Sequence, residues 1–229
     1  MSDKSAAWNT KNLGIPDEFS KFVRHHPSEL MLRSLFSSTY STNPPKITSD
    51  TRVLDIGAMY MNNLVPFHDR GARCFGVEIN EDMVSIARRC AEQQSIAADI
   101  RVGSNRSLGH ENDSFDIVLS INVVHYENDQ AGLRAAIEEY HRVLDKDGRL
   151  FVVSAGSEHY IRLNAKHLGP NRFEITADDF RRGQVMAYFE DEAQLGELLS
   201  EKFRLVETGR VIEKHARANV DFLYAVAVK

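Results

Sequence analysis

The feature that most constrains this chain is a change of rhythm at Thr51, where short apolar runs begin to alternate with longer amphipathic segments. The runs 53–57 and 74–79 are nearly continuous in apolar residues, which is typical of strands buried on both faces. Asn80 is a good helix N-cap, and the apolar residues after it recur at helical spacing. This alternation predicts an α/β fold with a mostly parallel sheet that is covered by helices on both faces.

The rest of the chain extends this pattern. Further strands are predicted at 100–102, 115–121 and 149–154, and helices at 62–70, 132–144 and 193–199. Two final strands, 203–206 and 220–228, are joined by a connection too polar and too short for a crossover helix, so we expect them to pair antiparallel. The segment 155–188 is polar and irregular, and its length favours a functional loop or lid.

The domain boundary is predicted from length and local composition. The chain has 229 residues, enough for one large domain with a small appendage. A polar stretch with a Pro-Pro pair ends near residue 50, and a helix is predicted before it, where apolar residues follow Pro27. We therefore divide the chain into an N-terminal helical cap, 1–50, and an α/β domain, 51–229, with a lid-like insertion around 155–188.

Composition excludes several classes of protein. Hydrophobic residues make up 42% of the chain and charged residues 27%, as in globular domains. No run approaches the roughly 18 apolar residues of a membrane helix, and the N-terminus is polar, so we expect a cytoplasmic protein without membrane contact. The two cysteines, Cys74 and Cys90, are too few for a disulfide framework. The net charge is -5 and no segment is strongly basic, which argues against a nucleic-acid partner.

The candidate binding residues follow predicted strands. Ligands of open parallel sheets bind beyond the carboxyl ends of the strands, where this chain has Asp55, Gly57, Glu78 and the segments 103–105 and 122–126. Glu78 follows Asp55 at close to the spacing of an acidic residue that binds ribose hydroxyls. Each residue also has a structural interpretation, since Asp55 could bind loop amides, Glu78 could be a strand-end charge and Gly57 could allow a tight turn.

The order of these residues matches a known family. The sequences Val-Leu-Asp-Ile-Gly at 53–57, Gly-Val-Glu-Ile-Asn at 76–80 and Ser-Phe-Asp-Ile-Val at 114–118, with the segment 142–150, resemble the class I S-adenosylmethionine-dependent methyltransferases. The similarity covers about 100 of the 229 residues. It implies a Rossmann-like sheet of seven strands with the last strand antiparallel, S-adenosylmethionine as cofactor, and no metal.

The resemblance also implies a set of cofactor-binding residues. They are Asp55, Gly57, Ala58, Glu78, Ile79, Gly103, Ser104, Asn105 and Asn122. Asp55 and Gly57 would lie along the methionine moiety, Glu78 would bind the ribose, and Ile79 would pack on the adenine. Ser104 or Asn105 would meet the adenine amine, where the family usually has an acidic residue.

One departure from the family lies in the first motif. After Gly57 the family usually has two more glycines at alternate positions, whereas this chain has Met59 and Met61. Their side chains could pack against the sheet or line the site, because a backbone without glycine approaches a ligand less closely. A catalytically degenerate relative would show the same change.

His125 is the candidate catalytic residue. An acceptor hydroxyl or ammonium must lose a proton, and a histidine is the usual base near neutral pH. His125 follows the fourth strand, where it should face the donor methyl, although a structural histidine bound to loop backbone is the alternative. His159 and Tyr160 are second candidates, and Tyr126 is expected to shape the pocket. No cluster of histidines has the spacing of a metal site, so we predict no metal.

The acceptor pocket is expected from the least family-like segments. Its candidate residues are Phe19, Phe22, Tyr40, Phe180, Arg181 and Arg182. The aromatic residues could instead form a small core that joins the cap to the sheet. The arginine pair could bind an anionic acceptor or could be solvated surface charge.

The sequence thus favours a methyltransferase that acts on an O- or N-nucleophile of a small molecule, and it leaves open whether the protein forms a homodimer. A dehydrogenase would need the GxGxxG motif, which 57–62 lacks. A non-catalytic partner subunit and a protein or nucleic-acid methyltransferase remain alternatives.

Overall fold

The computed structural model describes residues 26–41, 43–163, 165–178 and 181–229. Of the residues named above, Phe19, Phe22 and Phe180 lie outside these ranges, so their assignment to the acceptor pocket stays a prediction. The strands are β1 Arg52–Ile56, β2 Arg73–Glu78, β3 Ala98–Val102, β4 Phe115–Ile121, β5 Leu144–Ala155, β6 Ala165–Gly169, β7 Arg172–Ile175, β8 Val185–Ala187, β9 Arg204–Lys214 and β10 Asn219–Val228. The α-helices are α1 Glu29–Phe36, α2 Val65–His68, α3 Glu81–Gln93, α4 Gln130–Val143 and α5 Glu192–Ser200.

The main sheet has seven strands in the order β3-β2-β1-β4-β5-β10-β9. Strands β1 to β5 are parallel to their neighbours, whereas β10 is antiparallel to both β5 and β9. The predicted Rossmann-like, mostly parallel sheet with an antiparallel last strand is therefore confirmed. The order reverses between β1 and β4, which places the crevice expected for a ligand at their carboxyl ends.

Two apolar cores confirm that helices cover both faces of this sheet. One core joins α4 and α5 to residues such as Leu54, and the other joins α1, α2 and α3 to residues such as Val53. Neighbouring residues of one strand belong to opposite cores because side chains alternate along a strand. A strand buried on both faces therefore needs apolar residues at successive positions, which is the pattern seen in the sequence.

The helices begin where side chains can satisfy their first amide groups. Asn80 accepts a hydrogen bond from the Met83 amide at 2.9 Å, and Asp129 accepts one from the Gly132 amide at 2.8 Å. The second of these helices begins two residues before the predicted start at 132. The longest helix among the described residues has 14 residues, shorter than a bilayer crossing requires.

The segment 155–188 is not irregular, and that prediction was wrong. It contains a 3-10 helix, Tyr160–Arg162, and a three-stranded antiparallel sheet in the order β6-β7-β8, called here the small sheet. Its own apolar core includes Phe173, Ile175, Met186 and Tyr188. Strands of three to five residues bury at most two apolar side chains each, too few to show an alternating pattern in the sequence.

The end of the chain also differs from the prediction. Strand β9 continues to Lys214 rather than ending at 206, and only 215–218 connect it to β10. Its second half is polar because β9 is the edge of the sheet, where side chains meet solvent and charges discourage pairing with another chain. The predicted antiparallel pair is confirmed, with a longer ladder than expected.

Candidate active site

The ends of β1, β2 and β3 meet at one edge of the sheet. The Gly57 amide donates to the Val77 carbonyl at 2.8 Å, and the Gly103 amide donates to the Glu78 carbonyl at 2.8 Å. Asp55 is paired in register with Gly76, so Glu78 lies two residues further along the neighbouring strand. The three predicted binding segments are therefore joined by backbone hydrogen bonds.

Asp55 is a buried carboxylate without a hydrogen bond. Its side chain is 1% exposed, and neither oxygen has a partner among the described residues. Burial raises the pKa of Asp55 to about 8; the polar side chain of Asn63, which approaches the carboxyl group outside the geometry of a formed hydrogen bond, lowers it, and the nearby charge of Glu78 raises it. Buried polar atoms are normally paired, so these oxygens mark a place where a ligand can donate.

Glu78 holds the loop that follows β1. One carboxylate oxygen, Oε1, accepts a hydrogen bond from the Met59 amide at 2.6 Å, and the residue is 5% exposed. Burial raises the pKa of Glu78 to about 7, and the backbone amides of Met59 and Ile79 partly oppose that rise. The other oxygen, Oε2, can accept from a ligand while Oε1 stays on the loop.

The loop after β1 keeps a left-handed backbone at both methionines. The φ angles are 71° at Gly57, 30° at Met59 and 60° at Met61. The positive φ at Gly57 favours glycine. A side chain is also excluded there because a Cβ would lie 2.8 Å from Val123 Cγ2. The methionine side chains pack in the core that contains α1, with Met61 fully buried. The structure therefore favours packing against the sheet over lining the site.

The other predicted cofactor residues near β1 and β4 differ in what they offer. Ala58 is buried in the core, so only its backbone can face a ligand, and Ile79 is partly buried against the same core. Asn122 ends β4 with a φ of 59°, and its buried Oδ1 has no hydrogen-bond partner in the described ranges. Asn122 thus resembles Asp55 in presenting an unsatisfied acceptor.

Asn105 is turned inward rather than towards a ligand. Its Oδ1 accepts from the Tyr140 hydroxyl at 2.6 Å, and its Nδ2 donates to the Val123 carbonyl at 3.3 Å. The Tyr140 hydroxyl also lies 3.1 Å from Ser120 Oγ. Asn105 therefore ties the loop after β3 to the loop after β4, which leaves Ser104 as the candidate for an adenine contact.

The sequence did not indicate this role of Tyr140. A tyrosine among the aliphatic residues of one helix face was the available signal, because a buried hydroxyl needs a partner.

His125 lies in a 3-10 helix after β4 and is 4% exposed. The Ala155 amide donates to its Nδ1 at 3.3 Å, Ser154 Oγ lies 3.3 Å from the same atom, and the ring stacks on Tyr126. Because Nδ1 accepts the hydrogen bond from the Ala155 amide, the proton of the neutral ring is on Nε2. Burial lowers the pKa of His125 to about 3, and the charges of His159 and Arg181 lower it further. At neutral pH the ring is therefore a hydrogen-bond donor through Nε2 and a weak base.

The remaining histidine and aromatic candidates differ in burial. His159 is buried, its Nδ1 accepts from the Ile161 amide at 3.3 Å, and burial lowers its pKa to about 4. Tyr160 is 43% exposed, with the Arg181 guanidinium 5.7 Å from its ring centre. Tyr40 lies on the surface, 63% exposed and next to Arg33.

Sequence reasoning missed a buried ion pair at this end of the sheet. Asp221 in β10 is fully buried and accepts two hydrogen bonds from Arg210, at 2.9 and 2.8 Å. It also accepts from the Glu158 amide at 2.8 Å, so it holds the loop after β5. A Cβ at Gly156 would collide with this carboxylate. The available signal was an aspartate within an apolar final strand.

Fold and site together define a Rossmann-like domain with a ligand crevice at the β1–β4 reversal. Residues 54–152 match the family model described as a methyltransferase domain. This match spans 99 of the 229 residues, from β1 into β5, so this part of the chain is similar to a methyltransferase domain.

Individual relatives show the same similarity to methyltransferases. The chain is 33% identical over 113 residues to an uncharacterized methyltransferase, YcgJ, of Bacillus subtilis, an alignment that covers 49% of this chain and 42% of that protein. It spans about half the length of the curated relatives it matches.

Solved structures share the fold. A S-adenosylmethionine-dependent methyltransferase from Methanosarcina mazei has a TM-score of 0.66 at 19% identity, with 80% of this chain and 93% of that chain covered. The 1,6-didemethyltoxoflavin-N1-methyltransferase of Burkholderia thailandensis, solved with 1,6-didemethyltoxoflavin and S-adenosylhomocysteine, has a TM-score of 0.59 at 21% identity, covering 78% and 70%.

Proposed function

We propose that this protein transfers the methyl group of S-adenosylmethionine to an O- or N-nucleophile of a small-molecule acceptor. The observation that carries the proposal is the Asp55 carboxyl group, which is buried next to Glu78 at the sheet reversal and accepts no hydrogen bond from any residue that the structure describes. The toxoflavin-pathway enzyme among the structural neighbours is named for methylating one nitrogen of a small molecule, which supports an acceptor of this kind.

The residues of this edge fit the cofactor. Asp55 would accept from the ammonium of the methionine moiety, and Glu78 Oε2 would accept from the ribose hydroxyls. Asn122 Oδ1 offers a third acceptor at the end of β4. When bound, S-adenosylmethionine supplies an electrophilic methyl group on a sulfonium, so the protein has mainly to align donor and acceptor and to exclude water. No metal is assigned to this step.

His125 is proposed to contact the acceptor. In the observed arrangement its Nε2–H would orient an acceptor oxygen or nitrogen, and its low basicity argues against an extensive role in removing the proton. The small sheet is proposed to act as the cover of the acceptor, because its core includes Tyr126, which stacks on His125.

The wider assignments are proposals of the same kind. We place the protein in the cytoplasm, with a small molecule as its partner and no nucleic acid or membrane, and we retain the division into a cap, 1–50, and a domain, 51–229. Both cysteines, Cys74 and Cys90, are buried and unpaired, which fits a reducing compartment. A homodimer stays open.

The degenerate-subunit alternative loses its main support. It rested on the methionines that replace glycines, yet Met59 and Met61 keep left-handed φ angles and direct their side chains into the core. The Met59 amide still reaches Glu78. The left-handed conformation costs about 1 kcal/mol at each methionine, and with it the loop retains the backbone path that a cofactor requires.

Calorimetric titration tests the proposal. S-adenosylmethionine and S-adenosylhomocysteine should bind with one site, whereas NAD should not. Glu78→Ala should weaken S-adenosylhomocysteine binding about 30- to 100-fold, because a buried acceptor of charge-assisted hydrogen bonds is lost. Glu81→Ala, at an exposed first-turn position of α3, is the control and should bind normally. Failure of both adenosyl ligands to bind at millimolar concentration would overturn the proposal.

The role of His125 needs a rate measurement. His125→Ala should keep cofactor affinity and lose turnover with a candidate acceptor. Full turnover in this variant would show that no catalytic contact is made by this ring. Because the pKa of His125 is lowered to about 3, the ring is neutral from pH 5.5 to 7.5, so a wild-type rate that rises with pH in this range would assign the titrating base to another group.

A further inference from the structure

A small cavity lies between the loop that follows β5 and the small sheet. Its volume is about 130 Å³, room for about four water molecules at roughly 30 Å³ each. The walls include Ser157, Glu158, His159, Arg162, His167 and Phe173. None of these residues was assigned to cofactor binding.

Arg162 is one of the residues that line this cavity. Its guanidinium carbon lies 3.8 Å from the ring centre of Tyr188 and 5.7 Å from that of Phe173, so the charged group is stacked on aromatic side chains. Stacking fixes the plane of the guanidinium but satisfies none of its N–H groups. Its buried Nη1 has no hydrogen-bond partner in the described part of the chain. A buried charged donor of this kind normally has an acceptor.

The acidic side chains of this region are already paired elsewhere. Asp221 binds Arg210 at 2.8 Å, and Glu158, although it lines the cavity, lies 3.5 Å from the same Arg210. No carboxylate within the described ranges forms an ion pair with Arg162. Because no residue that the structure describes supplies a counter-ion to Arg162, a ligand is the natural source of one.

The histidines add donors of the same kind. His159 Nδ1 accepts the Ile161 amide, which leaves the proton of the neutral ring on Nε2. His167 lies edge-on to Tyr188 on the opposite wall. His125 stacks on Tyr126, which packs against the apolar core that includes Phe173 of the cavity wall, so packed side chains connect the cavity to the proposed acceptor contact.

We infer that this cavity is an oxyanion subsite, in which Arg162 and the two histidines bind a carboxylate or phosphate group of the methyl acceptor. The planar fork of a guanidinium matches both groups with two parallel hydrogen bonds. This inference rests on the proposed function and narrows its acceptor to an anionic small molecule. It also assigns anion binding to Arg162 instead of Arg182, because Arg182 is exposed and pairs with Asp178 at 2.9 Å.

The test is a titration of the whole protein, saturated with S-adenosylhomocysteine, with acetate or inorganic phosphate. Ionic strength is held constant with sodium chloride, because screening alone shifts surface groups. The ring signals of His159 and His167 are followed by NMR. At least one anion should shift both rings along a saturable curve with a dissociation constant of about 1–10 mM. The anion that binds more tightly identifies the chemical group of the acceptor.

Variants locate the site. Arg162→Met should weaken the anion at least tenfold, and Arg162→Lys, which keeps the charge but loses the fork, should weaken it about threefold or more. Arg182→Met is the matched control and should bind as the wild type does. If Arg162→Met disturbs the small sheet, Arg162→Lys decides.

Two outcomes would overturn the inference. They are shifts that do not saturate in the wild type and equal affinity in Arg162→Lys. Loss of S-adenosylhomocysteine binding would instead contradict the proposed function, so the two failures are distinguishable.

Discussion

Two aspartates are buried near the ligand-facing loops of the sheet, Asp55 at the end of β1 and Asp221 in β10 beside the loop after β5. The surroundings of the two side chains are opposite. Asp55 accepts no hydrogen bond from the part of the chain that the structure describes, whereas Asp221 accepts from Arg210 and from the Glu158 amide. A buried carboxylate without donors costs stability, and proteins retain such groups mainly where they function. The comparison separates a carboxylate that holds the fold from one that waits for a ligand.

Two arginines near the loop after β5 show the same contrast between a paired and an unpaired charged group, with positive charge in place of negative. Arg210 is paired with Asp221 and holds the loop after β5, whereas Arg162 has a buried nitrogen without an acceptor among the described residues. The satisfied members of both pairs lie in β9 and β10. The unsatisfied members, Asp55 and Arg162, lie at the carboxyl end of β1 and in the loop after β5, where a ligand would sit.

The largest effect should come from breaking the satisfied pair. Asp221→Ala leaves the Arg210 charge and the Glu158 amide without their acceptor, and should lower the free energy of unfolding by about 3 kcal/mol or more. Urea denaturation measures this loss. Asp99→Ala, which breaks the half-exposed pair with Arg101, is the control and should cost below about 1 kcal/mol. Equal losses would remove the distinction between the two kinds of aspartate.

The second effect should be on binding rather than on stability. Asp55→Asn keeps the shape of the side chain but removes the carboxyl group, which would release its proton to solvent on binding and meet the ligand ammonium as a carboxylate. Affinity for S-adenosylhomocysteine should fall about 10- to 100-fold, while the unliganded protein should be as stable as the wild type or more stable. Calorimetry and urea denaturation on the same samples give both numbers. A variant that loses stability but binds normally would reverse the assignment.

The third effect compares two glycines with positive φ. Gly57 has a φ of 71° and no room for a Cβ beside Val123, whereas Gly183 in the small sheet region has a φ of 83° and nothing within 4 Å. Strain alone should make Gly183→Ala cost about 1 kcal/mol, and the collision should make Gly57→Ala cost about 1–2 kcal/mol more. Thermal unfolding compares them. Equal costs would mean that Val123 moves away freely.

The smallest effect is a pH dependence of stability. The folded-state pKa of Asp55 is raised to about 8 and that of Glu78 to about 7, so the folded protein holds more protons than the unfolded chain at neutral pH. The stability of the unliganded protein should therefore fall as pH rises from 7 to 8.5, by about 1 kcal/mol.

That pH window separates the carboxyl groups from the histidines. His125 and His159 have lowered pKa values of about 3 and 4, so their contribution is lost mainly as pH falls below 6.5. Asp55→Asn should flatten the slope above pH 7 when urea denaturation is repeated at each pH. An unchanged slope would assign it to other groups.

Much of the fold was predictable because apolar continuity is a local signal. The strand that contains Val53 and Leu54 is buried on both faces, and the sequence states this directly. The small sheet was not predictable, since residues such as Phe173 gain their burial from Met186 and Tyr188, which are distant in sequence. Propensity and periodicity describe a segment, not the partners it will meet.

The candidate site divides in the same way. Asp55 and Glu78 were predictable because both follow buried strands at a spacing that the ligand chemistry sets. The inward turn of Asn105 and the pairing of Asp221 were not, because each depends on a partner from another element, Tyr140 and Arg210 respectively. Residue type and position suggest which side chains could bind, whereas only packing shows which hydrogen bonds are already made.

The most direct test of the central claim is a crystal structure with S-adenosylhomocysteine. The account predicts that the Asp55 carboxylate accepts a hydrogen bond, directly or through one water, from the ligand ammonium, with donor–acceptor distances of about 2.7–3.1 Å. Glu78 Oε2 should accept from the ribose while Oε1 stays on the Met59 amide. A ligand bound elsewhere, or a complex in which the Asp55 oxygens still lack a donor, would contradict it.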